Sequence, residues 1–292
     1  MGTIEQLAER FDADRRHLRS VAFHLLGSVA DAEDAVQSAW LKASRADLDS
    51  IANPTGWFTT ITAREALEQL RTRKRRAEQP LDELDAEIVS SPADEQTLLA
   101  DSVSRALLVV LDRLSPAERV AFVLHDVFAV PFDAIGELLN RSADAAKKLA
   151  SRARARLRAE PSADPPTTTQ HAQIVAAFLA ASRGGDISTL LQLLAPDVVR
   201  RVDRILVPGD VATEIRGARQ VAEETRRFTR RAQAGTVVLV NGAPGIAVAP
   251  GGHLQVVLEI GIRDGRIHTI DIIGDTDRLR GVALALPTRE YW

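Results

Sequence analysis

The hydrophobic periodicity of this 292-residue chain changes along its length, and this change constrains the fold more than any other feature. Up to about residue 159, apolar residues recur at the spacing of three and four that is typical of helices. Beyond about residue 235, apolar and polar residues alternate as they do in strands. The pattern therefore predicts a helical N-terminal part and a C-terminal domain that combines helices with a sheet.

Two stretches without a clear period divide the chain into domains. Residues 77–95 are acidic and contain two prolines, and residues 160–170 are rich in Pro, Thr and Ser. Both compositions are typical of linkers. We therefore predict five segments: a helical domain at 1–76, a linker at 77–98, a second helical domain at 99–159, a linker at 160–170 and an α+β domain at 171–292.

The C-terminal domain is predicted to begin with helices and to end in a curved antiparallel sheet. Its elements are predicted as helices at about 171–183, 187–195 and 217–231 and strands at 236–242, 245–250, 253–265 and 266–274. Asp264-Gly265 between the last two strands is a favourable hairpin turn.

Composition narrows the possible kinds of site. The chain has no cysteine and a net charge of −3, so thiolate metal sites are excluded and any basic surface must be local. Its six histidines lack metal-ligand spacing, and no glycine-rich phosphate loop or nucleophile elbow is present. We therefore predict neither a metal nor a cofactor. A charged N-terminus and the lack of an apolar run of about 18 residues predict a cytoplasmic protein without a membrane span.

The region from 115 to 159 has the proportions of a helix-turn-helix. Ser115-Pro116-Ala117-Glu118 combines a capping residue, a proline at the first helical position and a capping-box glutamate. The short helix PFDAIGELL, the tight turn Asn140-Arg141-Ser142 and a basic helix at 143–159 come after it.

The basic helix carries the strongest functional signal. Seven Lys or Arg and one acid lie between Arg141 and Arg158. Such a run is usually a solvated helix face, but the preceding turn and the small alanines, which keep the helix slim, favour entry into the major groove of DNA. Its predicted inner face, which would pack on Ile135 and Leu138, consists of Ala146, Leu149, Ala153 and Leu157. A helix-turn-helix alone leaves the class of DNA-binding protein open.

Three segments together resemble an extracytoplasmic-function sigma factor: LRSVAFHLLGSVADAEDAVQSAWLKA (18–43), NPTGWFTTITAREALEQLRTRKRR (53–76) and LSPAERVAFVLHDVFAVPFDAIGELLNRSADAAKKLASRARARLR (114–158). They occur in the order and spacing of regions 2 and 4 of that family. The resemblance implies two all-α sigma domains, the second a helix-turn-helix of the winged-helix-like class. It also implies promoter DNA and RNA polymerase core as partners, the latter through its β′ clamp helices and β flap, and no catalysis.

The resemblance implies roles for residues of region 2. The region 2.2 helix docks on the β′ clamp helices in this family, and the matching polar residues are Asp31, Asp34, Gln37 and Lys42. Recognition and opening of the −10 element fall to Asn53, Thr60, Arg64, Arg71, Arg73 and Lys74, with a base pocket in the loop at 47–53. Trp57 and Phe58 could stack on bases, but their helical spacing indicates core positions.

In region 4 the resemblance implies contact with the −35 element. The candidate residues are Arg141, Ser142, Lys147, Lys148, Ser151, Arg152 and Arg154. Ser142 can also cap the first turn of the basic helix, which aims free backbone N–H groups at a phosphate. Arg154 is expected to meet phosphate or solvent rather than bases.

The C-terminal domain resembles a SnoaL-like domain, a cone-shaped fold. The likeness rests on QIVAAFLAASRGGDISTLLQLLAPDVV and, after a strand pair, IDIIGDTDRL. It implies an α+β cone that contacts the sigma domains and tunes their activity. Two other functions stay open: a helix-turn-helix repressor with a ligand-sensing cone, and an enzyme active in the cone through Asp203, Glu259, His268 or Asp271.

Overall fold

Backbone contacts group the chain into two units. The computed structural model describes residues 4–46, 51, 53–77, 102–157, 165–209, 211–250 and 253–286. The N-terminal unit takes its residues from 1–100 and 114–155, and the C-terminal unit takes its residues from 101–113 and 156–292. Within the described ranges, no helix combines the length and the apolar character that crossing a membrane requires.

The N-terminal unit begins with three packed helices, α1 (Ile4–Leu26), α2 (Val29–Ala43) and α3 (Pro54–Ala77). Gly27 ends α1 with a φ of 79°, a left-handed conformation that costs glycine little. Ser28 then caps α2, because its Oγ accepts a hydrogen bond from the backbone N–H of Asp31 at 3.3 Å. The predicted helices of this region are confirmed.

An aromatic cluster fills the space between these three helices. The ring of Phe11 lies 5.1 Å from Phe58 and 5.2 Å from Trp40, centroid to centroid. Phe58 is fully buried, and Trp57 is half-buried with its ring 5.5 Å from that of Phe58. The core position predicted for Phe58 is therefore confirmed, and Trp57 lies at the edge of the same cluster.

The next helix in the chain, α4 (Ser102–Leu111), belongs to the C-terminal unit. The N-terminal unit continues with α5 (Pro116–Phe122), a π-helical turn (Val123–Val127), α6 (Phe132–Leu139) and α7 (Ala143–Leu157). The predicted capping box is confirmed: the backbone N–H of Ser115 donates to Glu118 Oε2 at 3.0 Å, and that of Glu118 donates to Ser115 Oγ at 3.4 Å. Both α5 and α6 pack against α3, and the buried guanidinium of Arg119 donates to the carbonyl of His24. The two sets of helices thus share one packed unit.

The C-terminal unit is a seven-stranded sheet with helices against it. Its helices are α4 (Ser102–Leu111), α8 (Pro165–Gly184), α9 (Ile187–Leu193), α10 (Ala218–Arg227), α11 (Thr229–Gln233) and α12 (Thr276–Gly281). Its strands are β1 (Leu194–Val202), β2 (Glu214–Arg216), β3 (Gly235–Val240), β4 (Ala243–Val248), β5 (Val256–Arg263), β6 (Arg266–Ile273) and β7 (Leu284–Ala285).

The sheet has the strand order β2-β1-β6-β5-β4-β3-β7. The predicted hairpin is confirmed, since Asp264 and Gly265 have φ values of 48° and 71° and join β5 to β6. The side chains of Val175, Phe178 and Leu190 pack into a core with residues of β1, β3, β4, β5 and β6. The order of elements, helices before a sheet, gives the α+β class that was predicted.

Helix α4 belongs to the C-terminal unit, where it packs against β3. Arg105 Nη1 donates to the carbonyl of Gln233 at 3.3 Å. At the other end, Arg113 Nη2 donates to the carbonyls of Arg280 and Val282 at 2.9 and 3.1 Å. The sequence pattern predicts α4 as part of the helical domain at 99–159, whereas backbone contacts group it with the sheet.

The structure corrects three local predictions in the C-terminal part. The segment predicted as helix at 187–195 is helical only to Leu193, and its last two residues begin β1, because Val199 and Val202 further along this strand pair with β2 and β6. The pairing of β1 with β6 is parallel, so the sheet is mixed rather than antiparallel. The predicted linker at 160–170 already contains the start of α8 at Pro165, where proline in the first turn costs no hydrogen bond.

Candidate nucleic-acid interface

A tight turn sets the direction of the basic helix α7. Asn140 takes a left-handed φ of 54° and ends α6, and the N–H of Arg141 donates to the carbonyl of Gly136 at 2.8 Å. A Cβ at position 136 would lie 2.8 Å from the carbonyl oxygen of Arg141 and 3.0 Å from the N–H nitrogen of Ala143. The turn is therefore closed against α6 at a distance that only glycine permits.

The first turn of α7 is capped as predicted. Ser142 Oγ accepts a hydrogen bond from the backbone N–H of Ala145 at 3.2 Å. Ser142 and Arg141 are both exposed, so the start of the helix faces solvent. Backbone N–H groups at such a terminus are suited to a phosphate oxygen.

Helix α7 has one buried and one basic face. The buried residues are Ala146, Leu149, Ala150, Ala153 and Leu157, which include all four predicted ones, and Ile135 and Leu138 of α6 are buried as well. Lys147, Lys148, Ser151 and Arg152 are exposed, and their spacing puts them on a single face. Small side chains on the inner face keep α7 close to α6 and leave the long basic ones outside.

Arg154 differs from the other predicted −35 residues. Its Nε lies 2.8 Å from Asp126 Oδ1, and the two side chains are 37% and 25% exposed. The ion pair ties α7 to the π-helical turn at Val123–Val127. The charge of Arg154 is therefore already paired with an acid of the same unit.

The predicted −10 residues of α3 lie on one helix face. Asn53, Thr60, Arg64 and Arg71 are separated by seven, four and seven residues, so they fall within one narrow stripe. Arg64 and Arg71 are exposed. Asn53 also caps α3, because its Oδ1 accepts from the N–H of Gly56 at 3.0 Å, and Thr60 donates to the carbonyl of Gly56 at 2.9 Å.

Two predicted contact residues form an ion pair with each other. Arg73, predicted for DNA, forms an ion pair with Asp31, predicted for polymerase. Arg73 Nη1 also donates to the carbonyl of Leu26 at 3.1 Å and so satisfies the end of α1. Both side chains are about one-third exposed. This pairing gives them a part in holding α1, α2 and α3 together.

The remaining predicted polymerase residues lie on α2. Asp34 and Gln37 are exposed. Lys42 donates to Glu65 Oε1 of α3 at 2.5 Å and remains half exposed. The side chain of Lys74 and residues 47–50 and 52 of the predicted base pocket lie outside the described part of the chain.

The four residues considered for catalysis in the cone do not line its cavity. Asp203 Oδ2 accepts from the N–H groups of Gly274 and Asp275 at 2.9 and 3.0 Å, and Asp203 also pairs with Arg278. The other three candidates make the contacts Glu259–Asn241 (2.6 Å), Asp271–Arg201 (3.5 Å) and His268–Asp197 (3.5 Å). Sequence reasoning missed the pair that does line the cavity, Arg200 and Glu224. The only local sign was an arginine within the apolar run of β1.

Comparison with known proteins agrees with this arrangement. The Sigma-70 region 2 family matches residues 10–76, and the Sigma-70 region 4 family matches residues 104–157. The ECF RNA polymerase sigma factor SigJ of Mycobacterium tuberculosis (strain ATCC 25618 / H37Rv) is 38% identical over an alignment of 294 positions. The alignment covers 94% of this chain and 93% of the relative.

Two further comparisons cover nearly the whole chain. The probable ECF RNA polymerase sigma factor SigI of Mycobacterium tuberculosis (strain CDC 1551 / Oshkosh) is 32% identical over 280 residues, 94% of each chain. The crystal structure of Mycobacterium tuberculosis SigJ aligns over 94% of this chain and 98% of that one, with 35% identity and a TM-score of 0.45. From the matched regions and the identity to full-length relatives, it follows that this chain belongs to the extracytoplasmic-function family of RNA polymerase sigma factors.

Proposed function

We propose that this chain binds RNA polymerase core and directs initiation at promoters through two helices, α3 at the −10 element and α7 at the −35 element. The observation that carries the proposal is the exposed basic face of α7, fixed by the closed turn after Gly136. A slim helix with exposed basic side chains suits the major groove. The protein works in the cytoplasm, where its DNA target lies.

Within α7 the residues divide by the contact they make. Lys147, Lys148 and Arg152 reach base edges, together with Ser151. Arg141 and the capped start of the helix at Ser142 bind backbone phosphate, which gives affinity rather than sequence choice. Arg154 is held by Asp126 and contributes less.

Region 2 divides in the same way between DNA and polymerase. Arg64 and Arg71, with Asn53 and Thr60 on the same stripe, face the −10 element. On α2, Asp34 and Gln37 are the exposed polar residues for the β′ clamp helices, while Asp31 and Lys42 are engaged with Arg73 and Glu65. We expect substitutions of Asp34 to weaken polymerase binding more than substitutions of Asp31 do.

The C-terminal domain tunes this activity through α4. Most of this helix falls within the region 4 match at 104–157, and Arg105 and Arg113 hold it against β3 and its neighbours. Replacing Arg113 by Ala removes the hydrogen bonds to the carbonyls of Arg280 and Val282 and releases one end of α4. A changed level of transcription with unchanged core binding is expected, and an unchanged level would contradict this tuning.

We infer that the chain catalyses no reaction itself. The support is that Asp203, Glu259, His268 and Asp271 form pairs away from the cavity.

Transcription by purified core polymerase tests the main proposal. Core polymerase is mixed with a library of random promoters, with and without this chain. Transcripts are expected only when the core and the chain are both present. Lys148→Ala is compared with Arg230→Ala, a substitution that removes the same charge at an exposed position of α11. We expect the first to weaken transcription from the selected promoters and the second to leave it unchanged. Specific operator binding without core would instead support a repressor, and failure to associate with core would refute the proposal.

A further inference from the structure

The cone of the C-terminal unit encloses a cavity of about 120 Å³. Its wall is built by the inner faces of the sheet and by α8, α10 and α11. The apolar part of the lining includes Phe178, Val202, Leu206, Ile246, Leu258 and Ile270. A cavity of about 150 Å³ holds a benzene ring, so this one is suited to a molecule of about that size.

One polar side chain at the wall is buried without its full set of partners. Arg200 lies on β1 between Val198 and Val202 on the same face and is 5% exposed. Its Nη2 pairs with Glu224 of α10. Its Nη1 is buried and has no hydrogen-bond partner within the described part of the chain. A charged donor left in that state is costly, so a partner for it is expected.

Ser182 and Thr225 at the cavity wall have hydrogen bonds to backbone carbonyls, and Arg231 is exposed to solvent. Ser182 Oγ donates to the carbonyl of Phe178 at 2.7 Å, and Thr225 Oγ1 donates to the carbonyl of Val221 at 2.7 Å. Arg231 is exposed, and its guanidinium carbon lies 5.4 Å from the centre of the Phe228 ring. Among the described residues that line the cavity, the buried donor without a partner is therefore Arg200 Nη1.

Charge balance decides the kind of acceptor that fits. Glu224 already compensates the charge of Arg200, and a ligand carboxylate near Nη1 would meet the carboxylate of Glu224 in an apolar surrounding. An uncharged oxygen accepts the hydrogen bond without that repulsion. The apolar walls bind the rest of the ligand by excluding water.

We propose that this cavity is a binding site for a small, uncharged and mostly apolar molecule whose carbonyl or hydroxyl oxygen accepts a hydrogen bond from Arg200 Nη1. The site goes beyond promoter recognition, and its occupancy can be measured without DNA or polymerase. Phe228 and Arg231 are the exposed lining residues, so they mark the side from which the ligand enters.

Three probes of similar shape test the acceptor requirement on the full chain. Acetophenone has the neutral acceptor, ethylbenzene lacks it, and benzoate carries a charge. Binding is measured by ligand-observed NMR and by calorimetric titration. We expect acetophenone to bind about tenfold more tightly than ethylbenzene, the contribution of one hydrogen bond to a charged donor, and benzoate to bind more weakly than acetophenone.

A double variant tests whether Arg200 is the donor. Arg200→Met/Glu224→Gln removes both charges together and keeps the wall filled, so no lone buried charge remains. This variant is expected to bind acetophenone and ethylbenzene equally. An acetophenone preference that persists in the folded variant overturns the assignment, as does the absence of acetophenone binding to the wild-type chain. If the variant does not fold, the three-probe comparison on the wild type decides: equal binding of acetophenone and ethylbenzene overturns it.

Discussion

Replacing Gly136 by Ala tests whether the closed turn sets the direction of the promoter-reading helix. The new Cβ would lie 2.8 Å from the carbonyl oxygen of Arg141 and 3.0 Å from the nitrogen of Ala143, where ordinary contact begins at 3.4 Å. Both atoms belong to the backbone, so the turn itself must move by about 0.6 and 0.4 Å. That movement also strains the hydrogen bond from the N–H of Arg141 to the carbonyl of residue 136.

Two opposing terms give the size of the effect. Overpacking of this kind costs about 1–3 kcal/mol, and alanine in place of glycine within a helix returns about 1 kcal/mol. We therefore expect Gly136→Ala to lower the free energy of unfolding of the N-terminal unit by up to about 2 kcal/mol. The tilt of α7 should in addition lower transcription by more than this loss of stability explains.

Urea unfolding followed by tryptophan fluorescence measures the stability of the N-terminal unit when Trp292 is replaced by Phe in every variant, because the other two tryptophans, Trp40 and Trp57, lie in that unit. Transcription with core polymerase is measured under conditions in which the variant is folded. The control is Gly184→Ala in the C-terminal unit, since a Cβ there meets nothing within 4 Å, and it should leave the stability of the N-terminal unit and transcription unchanged. Wild-type stability and transcription in Gly136→Ala would refute the idea that this turn orients α7.

Three further predictions concern the core, the basic helix and a helix cap. Phe58→Ala should lower the free energy of unfolding of the N-terminal unit by about 3–5 kcal/mol in the same urea assay, because the ring is fully buried; a loss below about 1 kcal/mol would contradict this packing. Arg152→Ala should reduce the salt dependence of promoter-complex formation more than Arg154→Ala, whose charge is held in an ion pair, and equal slopes would count against that difference. Hydrogen bonds from Thr189 lower the pKa of Asp186, the cap of α9, to about 2. The folded-state pKa of Asp186 lies below its unfolded-state pKa, so the charged carboxylate stabilises the folded chain fully above about pH 4. The difference in Tm between wild type and Asp186→Ala should therefore be largest above that pH and shrink as the pH falls toward 2. A difference that does not change with pH would show that the charge of the cap has no effect.

Much of the candidate interface could be predicted because it depends on neighbours in sequence. The capping box at Ser115, the turn at 140–142 and the inner face of α7 follow from spacing of three or four residues, and the structure confirms each of them. The hairpin at Asp264-Gly265 follows from the backbone preferences of two adjacent residues.

Other features could not be predicted from neighbouring residues, because the decisive partner is distant in sequence. The stretch at 194–195 has helical spacing with the residues before it, but its valine-rich continuation is taken into the sheet by β2 and β6. Arg73 and Asp31 are charged residues of the kind that lie in solvent or bind a partner. Only the approach of α2 to α3 shows that they pair with each other.

By itself, the sequence determined the helices, the turn before α7, the basic face of that helix and the order of the sigma regions, because hydrophobic period, caps and turn residues act over a few positions. The tertiary structure decided which charges remain free, which unit α4 joins and where a buried guanidinium meets a cavity. Arg113 and the carbonyl of Arg280 are 167 residues apart, and Arg200 and Glu224 are 24 apart on a strand and a helix. No local pattern encodes such contacts, since they exist only after separate elements pack against one another.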